Sequence, residues 1–259
     1  MKLTDTRRKF GISSEILNLY ANVFKCSNFE CNKYFAINHP DHEKCYVPRD
    51  FFGYYEKPKK ILVIGINPGK MFKAEICRYK KIHPTGKLLS QDEAEMMVDA
   101  HLEFAEEVFQ KGMHIQDNSL RLSFHKDFPE AVSKVLNIQP EEIFDFIYYT
   151  TMVKCQTRRP LQKLKIEDRD YLIKKCYELH LKPEIELLKP ELIFTYGQIV
   201  YDSLPWRELI PIKVFNLPRI WGEASYSQRK AWRDQLDVMK NNISPIVEKI
   251  KADMKLFRS

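Results

Sequence analysis

Lys60-Ile61-Leu62-Val63-Ile64-Gly65-Ile66-Asn67-Pro68-Gly69 is the stretch whose reading decides the fold. A short continuous apolar run closes on a turn built from Gly, Asn, Pro and Gly. Such a run, bounded by turn residues, reads as a fully buried strand of a parallel sheet. In open α/β sheets the loop beyond the carboxyl end of such a strand is where ligands bind. Taken alone, the stretch is equally a strand and a tight turn with no chemistry, so its neighbours must decide.

Working outward, Leu192-Ile193-Phe194-Thr195-Tyr196 is a second buried strand, closed by Gly197. Residues 143–154 form a β-rich run with a polar end, and 212–216 a last strand that enters the loop Leu217-Pro218-Arg219-Ile220-Trp221-Gly222. Helical patterns lie between them. Ser13 caps a helix over 13–24, and Ser90-Gln91-Asp92-Glu93 starts one with acidic residues in its first turn. Met96, Met97, Ala100, Phe104, Ala105, Val108 and Phe109 give that helix an apolar stripe ending near Gly112. Further helices are expected over 129–137, 167–188 and 198–204, then over 225–241 and 243–257 with an interruption at Pro245. Residues 32–58 have loop-like composition. Residues 70–120 read as a long insertion after the central strand, a lid. Alternating strands and helices define an α/β fold: a three-layer αβα arrangement with a central, mainly parallel, four-stranded sheet. No repeat or linker divides the chain, so residues 1–259 are expected to form a single domain carrying the insertion.

The bulk properties narrow the function classes. A chain of 259 residues with 44% hydrophobic and 30% charged residues is long enough to bury a sizeable core. Its net charge of +7 fits a nucleic-acid partner without demanding one. With 13 Tyr and 16 Phe the chain has enough aromatics to stack on bases, or simply to fill a core. The N-terminus lacks the apolar segment of a signal peptide, and no apolar run reaches membrane-spanning length. A cytoplasmic or nuclear location is expected, with no membrane partner, and the chain is expected to be a monomer. In a reducing compartment the six Cys are expected to be buried thiols or metal ligands rather than structural disulfides.

Gly65–Gly69, Thr150–Cys155 and Asn216–Gly222 sit at the carboxyl ends of three expected strands and should line one crevice. On these residues the chain resembles the uracil-DNA glycosylase superfamily, in pieces spanning roughly 26–235. Gly65-Ile66-Asn67-Pro68-Gly69 is identical to the first motif of the mismatch-specific branch and close to the Gly-Glu-Ala-Pro-Gly of the iron–sulfur branch. Thr150-Thr151-Met152-Val153-Lys154-Cys155 is similar to that second branch's Thr-Asn-Val-Val-Lys-Cys. Cys176–Leu181, Glu184–Pro190 and the run to Gly197 resemble its Cys-containing helix and following strand, and Phe124–Leu136 resembles the segment bearing the base-stacking aromatic.

The resemblance implies a glycosylase that acts on uracil, or another deaminated or damaged base, flipped out of double- or single-stranded DNA. Such chemistry needs a pocket that reads the base edge, a water placed behind the sugar carbon, and donors facing the departing base. By resemblance, Asn67 would place the water through its side-chain carbonyl, and Gly65, Ile66, Pro68 and Gly69 would contribute backbone to the base pocket. Phe124 would stack on the base, with Tyr79 as the alternative. Two positions depart from the iron–sulfur pattern. Thr151 stands where an Asn reads the base edge, and Leu217 stands where a His precedes the Pro. Arg219 would supply the charge that Leu217 cannot, or else contact a phosphate or a surface carboxylate. Ile220 or Trp221 would be the wedge filling the hole left by the base, or packing residues. Lys154, Arg158, Arg159, Lys163 and Lys165 form a basic run expected to touch DNA phosphates, or a solvated face.

The iron–sulfur branch also implies a [4Fe–4S] cluster. Cys155 and Cys176 fall where its later ligand pair belongs, and Cys26 and Cys31 would be the N-terminal pair, with Cys45 a substitute. A zinc ion held by four thiolates, or no metal at all, fits the same residues. Cys77 lies in the insertion and outside this set. The departures at Thr151 and Leu217 keep a second reading open: a DNA-binding protein of the same fold with weak or no catalysis. An unrelated nucleotide-binding enzyme is disfavoured, because no Gly-x-Gly-x-x-Gly or Walker pattern follows the strand.

Overall fold

The computed structural model describes residues 4–26, 51–56, 59–66, 73–82, 89–110, 122–155, 157, 161–219 and 224–256, with the side chains of 73–74, 108–110, 122–126, 206 and 254–256 excluded. In chain order the elements are α1 (Asp5–Phe10), α2 (Ser14–Phe24), β1 (Phe51–Phe52), β2 (Ile61–Gly65), α3 (Lys73–Ile82), α4 (Gln91–Gln110) and α5 (Leu122–Leu136). They continue with α6 (Ile143–Phe146), β3 (Ile147–Thr151), α7 (Ile166–Cys176), a π turn (Tyr177–Leu181), α8 (Lys182–Leu188), β4 (Leu192–Tyr196), α9 (Gln198–Ser203), β5 (Lys213–Leu217) and α10 (Tyr226–Leu256).

The apolar run at 61–65 is the central strand. The sheet order is β1-β3-β2-β4-β5, in which β2, β3, β4 and β5 pair in parallel. The four parallel strands match the expected sheet. Beside them the structure adds a short antiparallel edge strand: Phe51 and Phe52 pair with Thr150 and Tyr149. Two residues are too few for a period-2 pattern to register, so this strand has no sequence signature of its own.

Alternation along the strands sorts the core into two layers. Leu62, Ile64, Tyr148 and Ile193 pack with Tyr20, Met97, Leu172 and Ile185 from α2, α4, α7 and α8. Ile61, Val63, Tyr149, Phe194, Tyr196 and Leu217 pack with Phe128 and Val132 of α5 and with Trp232, Leu236 and Val247 of α10. The sheet is thus covered on both faces, which explains why its strands read as continuous apolar runs.

Three expectations change, besides the β-rich run over 143–154, which is helical at Ile143–Phe146 and a strand only at Ile147–Thr151. The lid over 70–120 is corrected for the described parts, because α4 is built into the first layer. Ala94, Met97, Val98 and Leu102 are buried, and Arg7 of α1 docks on α4 through Glu95 at 3.1 Å and Asp99 at 3.0 Å. Second, α5 starts seven residues before the expected 129 and carries Pro129 inside it. Third, the two expected C-terminal helices are one helix of 31 residues with Pro245 inside. A mid-helix proline costs about 3 kcal/mol. Here the buried face continues on both sides of it, through Trp232, Leu236, Ile243, Val247 and Ile250, and that packing holds the helix together. The expected Ser13 cap is present: its side chain accepts a hydrogen bond from the Ile16 amide at 3.3 Å.

Candidate active site

The parallel register brings the expected motifs together. Gly65 stands opposite Thr151, Ile64 opposite Thr195, and Tyr196 opposite Leu217, so β3, β2, β4 and β5 end along one edge. The loop after β3 is tied to the end of β2 through its backbone. The Met152 amide donates to the Gly65 carbonyl at 2.8 Å, and the Val153 amide to the Ile66 carbonyl at 3.0 Å. These bonds join the first two motifs.

Thr151 is buried, and its hydroxyl donates to the Val153 carbonyl at 3.2 Å. That bond shapes the loop. Leu217 is fully buried in the second core layer, so the position where the resemblance expects a histidine holds a packing residue. The Pro218 carbonyl that follows accepts from Trp232 Nε1 at 2.8 Å, pinning the loop to α10. Arg219 lies over the ring of Tyr196, with Cζ 5.5 Å from the centroid.

Lys154 requires a correction. Expected on DNA phosphate, it is fully buried, and its Nζ pairs with Glu184 Oε2 at 2.7 Å. It also donates to the Thr150 hydroxyl. Glu184 further accepts from Thr150 at 2.8 Å and, through Oε1, from Tyr20 at 2.8 Å; Tyr20 meets the Tyr55 hydroxyl at 2.8 Å. A charge this deep needs a partner and hydrogen bonds, and the network supplies both. Lys154 therefore holds the loop from below and cannot reach a phosphate. Tyr79, the alternative stacking residue, is also a core group: it is fully buried and bonded to Glu75 at 3.2 Å and His101 at 3.0 Å.

His180 adjoins this network in the π turn. Burial, followed by the positive charge of Lys154, lowers its pKa from 6.5 to about 4. Its Nε2 has no hydrogen-bond partner among the described residues. The unfolded chain therefore binds a proton between pH 6.5 and 4 that the folded protein refuses. His180 is expected to make stability fall as pH drops through that window. Chemical denaturation at several pH values should show a flatter profile for His180→Leu, whatever its offset; an unchanged profile would clear His180 of this role.

Asn67, Pro68, Gly69, Cys31, Cys45, Arg158, Arg159, Ile220 and Trp221 lie outside the described residues, as does the side chain of Phe124, which belongs to α5 four residues before Phe128. Of the candidate metal ligands, Cys155 and Cys176 are buried in the same core layer, and Cys26 follows α2 half-buried. Cys77 is exposed on α3. Among the described residues no three His, Cys, Asp or Glu side chains converge as a metal site.

Sequence reasoning missed an aromatic and charged assembly on the α5 side of the same edge. Phe128 packs edge-on against Tyr149 at 5.4 Å and Tyr196 at 5.5 Å. Beside it Asp127 is fully buried, and its Oδ1 accepts from Arg229 Nη1 of α10 at 3.2 Å. Burial raises the Tyr196 pKa well above its ordinary value; Arg219 opposes the shift and Asp127 adds to it. Both charges therefore lie within electrostatic reach of one phenol. Asp127 had a signal in the sequence: it stands four residues before Ala131, on the apolar face of α5, where a carboxylate is out of place.

Parallel strands that end at Gly65, Thr151 and Leu217, each entering one of the motifs quoted above, agree with the comparison against protein families. The model of the uracil DNA glycosylase superfamily matches residues 52–236, more than half of the chain. The chain belongs to that superfamily. No curated protein matches it. Among the described residues no helix is long and apolar enough to cross a membrane.

Proposed function

We propose that the protein is a monofunctional DNA glycosylase that hydrolyses the N-glycosidic bond of uracil, or another deaminated or damaged base, flipped out of DNA. The observation that carries this reading is the convergence of Gly65–Ile66, Thr151–Cys155 and Leu217–Arg219 at one sheet edge in a member of this superfamily. In this reading Asn67 orients the attacking water. Most of its effect is placement, because a neutral amide is a poor base. Backbone amides from Ile66 to Gly69 face the base, and Phe124 stacks on it. Arg219 stabilises the negative charge that develops on the departing base. Arg158 and Arg159 contact phosphates, and Ile220 or Trp221 fills the vacated stack.

A second reading has specific support. Thr151 commits its hydroxyl to its own loop and Leu217 is packed in the core, so neither can take the role its counterpart has in the iron–sulfur branch. A protein that binds damaged DNA without cleaving it would tolerate both changes. The separating assay uses oligonucleotides with uracil, mismatched uracil or thymine, and hypoxanthine, followed by alkali. Strand breaks at the lesion that vanish in Asn67→Ala are expected; binding without breaks on every lesion would overturn the enzyme reading.

The cysteines support a [4Fe–4S] cluster on Cys26, Cys31, Cys155 and Cys176, with zinc as the other occupant such thiols accept. Its role would be structural, joining the N-terminal segment to the loop after β3, and no catalytic step depends on it. Iron and sulfide in the anaerobically purified protein, with absorption near 400 nm, are the expected result. An iron-free, colourless preparation would remove the proposal.

A further inference from the structure

Asp127 combines three properties seldom found together. It is fully buried, one of its carboxylate oxygens is held by Arg229, and the other, Oδ2, has no hydrogen-bond partner among the described residues. A buried acceptor left unsatisfied is destabilising, more so when it is charged. Folding alone gives no reason to place it there. A ligand does, because a site built to meet a donor is unsatisfied until the donor arrives.

Its surroundings say what the ligand offers. Asp127 lies in the first half of α5, next to Phe128, whose ring packs on Tyr196 at the carboxyl end of β4. Arg229 belongs to the first turn of α10, and Arg219 lies on the Tyr196 ring. A carboxylate can only accept and a guanidinium can only donate. The guanidinium lies over the Tyr196 ring, and Asp127 adjoins Phe128, which packs on the same ring, so a donor and an acceptor both lie near the carboxyl end of β4.

This pairing complements a lactam. When cytosine or adenine is deaminated, its exocyclic amine becomes a carbonyl and the adjacent ring nitrogen gains a proton. The product shows N–H beside C=O, where the parent base shows a bare ring nitrogen beside an amine. We propose that Asp127 Oδ2 accepts the ring N–H of a flipped deaminated base while Arg219 donates to the adjacent carbonyl, so that this pair reads the base edge in place of the amide missing at Thr151. The parent bases are rejected because their ring lone pair faces the carboxylate and their amine faces the guanidinium. The proposal rests on the glycosylase reading for its substrate class, but base recognition can be measured without cleavage.

The test uses duplexes carrying 2′-fluoroarabino nucleotides, whose glycosidic bond resists hydrolysis, with uracil, cytosine, hypoxanthine or adenine at one mismatched position. Fluorescence anisotropy gives the affinity ratios of uracil to cytosine and of hypoxanthine to adenine. The wild type is expected to favour the lactam of each pair, and Asp127→Asn, which presents a donor as well as an acceptor, should cut both ratios about tenfold. Arg219→Gln should reduce the same ratios through the donor half of the pair. Thermal unfolding of Asp127→Asn is measured alongside, because losing the counter-charge of Arg229 lowers the Tm, and affinities are compared where the variant is folded. Wild-type ratios near one, or ratios unchanged in Asp127→Asn, would overturn the proposal. A lowered Tm with unchanged ratios would make Asp127 a purely structural partner of Arg229. Cleavage of the unmodified duplexes is scored separately, so absence of glycosylase activity and failure of base reading give different results.

Discussion

Glu184→Gln is expected to lower folding stability by about 3–5 kcal/mol, the range for removing one partner of a buried ion pair. Lys154 and Glu184 are both essentially inaccessible, with side-chain exposures of 0% and 1%. Glutamine keeps the length and one acceptor, so the Tyr20 and Thr150 hydroxyls can still be met. What it cannot do is neutralise the ammonium of Lys154, which stays buried without a counter-charge. Urea denaturation at pH 7 should therefore show a lower midpoint at unchanged slope. The double variant Lys154→Met, Glu184→Met removes both charges and should regain most of the loss, since buried pairs are often no more stable than apolar residues of similar volume. A double variant as unstable as the single one would mean that the hydroxyl network, and not the charge pair, holds the loop. The double variant also tests the corrected role of Lys154. A phosphate contact would reduce the salt dependence of DNA binding by about one counterion. A buried lysine predicts no change in that slope.

Lys154 also shows where sequence reading reached its limit. The strands Ile61–Gly65 and Leu192–Tyr196 were legible because burial on two faces writes itself as a run of apolar residues, whereas Lys213–Leu217, buried only at Leu217, was legible from its β-forming residues and the turn signals after it. Strand ends are set by the same runs, so the meeting of Gly65, Thr151 and Leu217 at one edge followed from the sequence. Lys154 follows Met152 and Val153 in a loop, where no periodicity tells inside from outside, and its partner Glu184 lies thirty residues on. A lysine beside Arg158 and Arg159 looks like part of a basic face until the fold supplies the carboxylate. The aromatic assembly was hidden for a related reason. Tyr149, Phe128 and Tyr196 come from β3, α5 and β4, and each reads on its own as an ordinary core residue. Contact between distant segments is a property of the packed sheet, and no local pattern encodes it.

Gly65→Ala is expected to damage stability and DNA recognition through one contact. Gly65 is not among the glycines with positive φ, so its backbone would accept alanine. The obstacle is space: a Cβ there would lie 2.6 Å from the Tyr149 hydroxyl oxygen and 3.3 Å from Thr151 Cγ2. Tyr149 has little room to yield, because it is buried and its ring packs on Phe128 at 5.4 Å. Forcing a methyl group into such a site costs about 1–3 kcal/mol. Moving Tyr149 also pushes on Phe128, which packs on Tyr196, the ring that carries Arg219. That folding loss does not itself weaken binding, but displacement of Arg219 through this chain of rings does, so affinity for lesion-containing DNA should also fall at temperatures where the variant remains folded. Tyr149→Phe deletes the clashing oxygen, and the remaining ring carbon, 3.4 Å from the Cβ position, is in ordinary contact. The double variant should then recover most of the stability and part of the affinity, with a coupling between the two sites of roughly 0.5–3 kcal/mol. Additive effects would show that Gly65 is required by something other than Tyr149. Recovered stability without recovered affinity would show that the tyrosine hydroxyl itself serves the bound DNA, making the glycine necessary because it leaves that hydroxyl room beside the first motif.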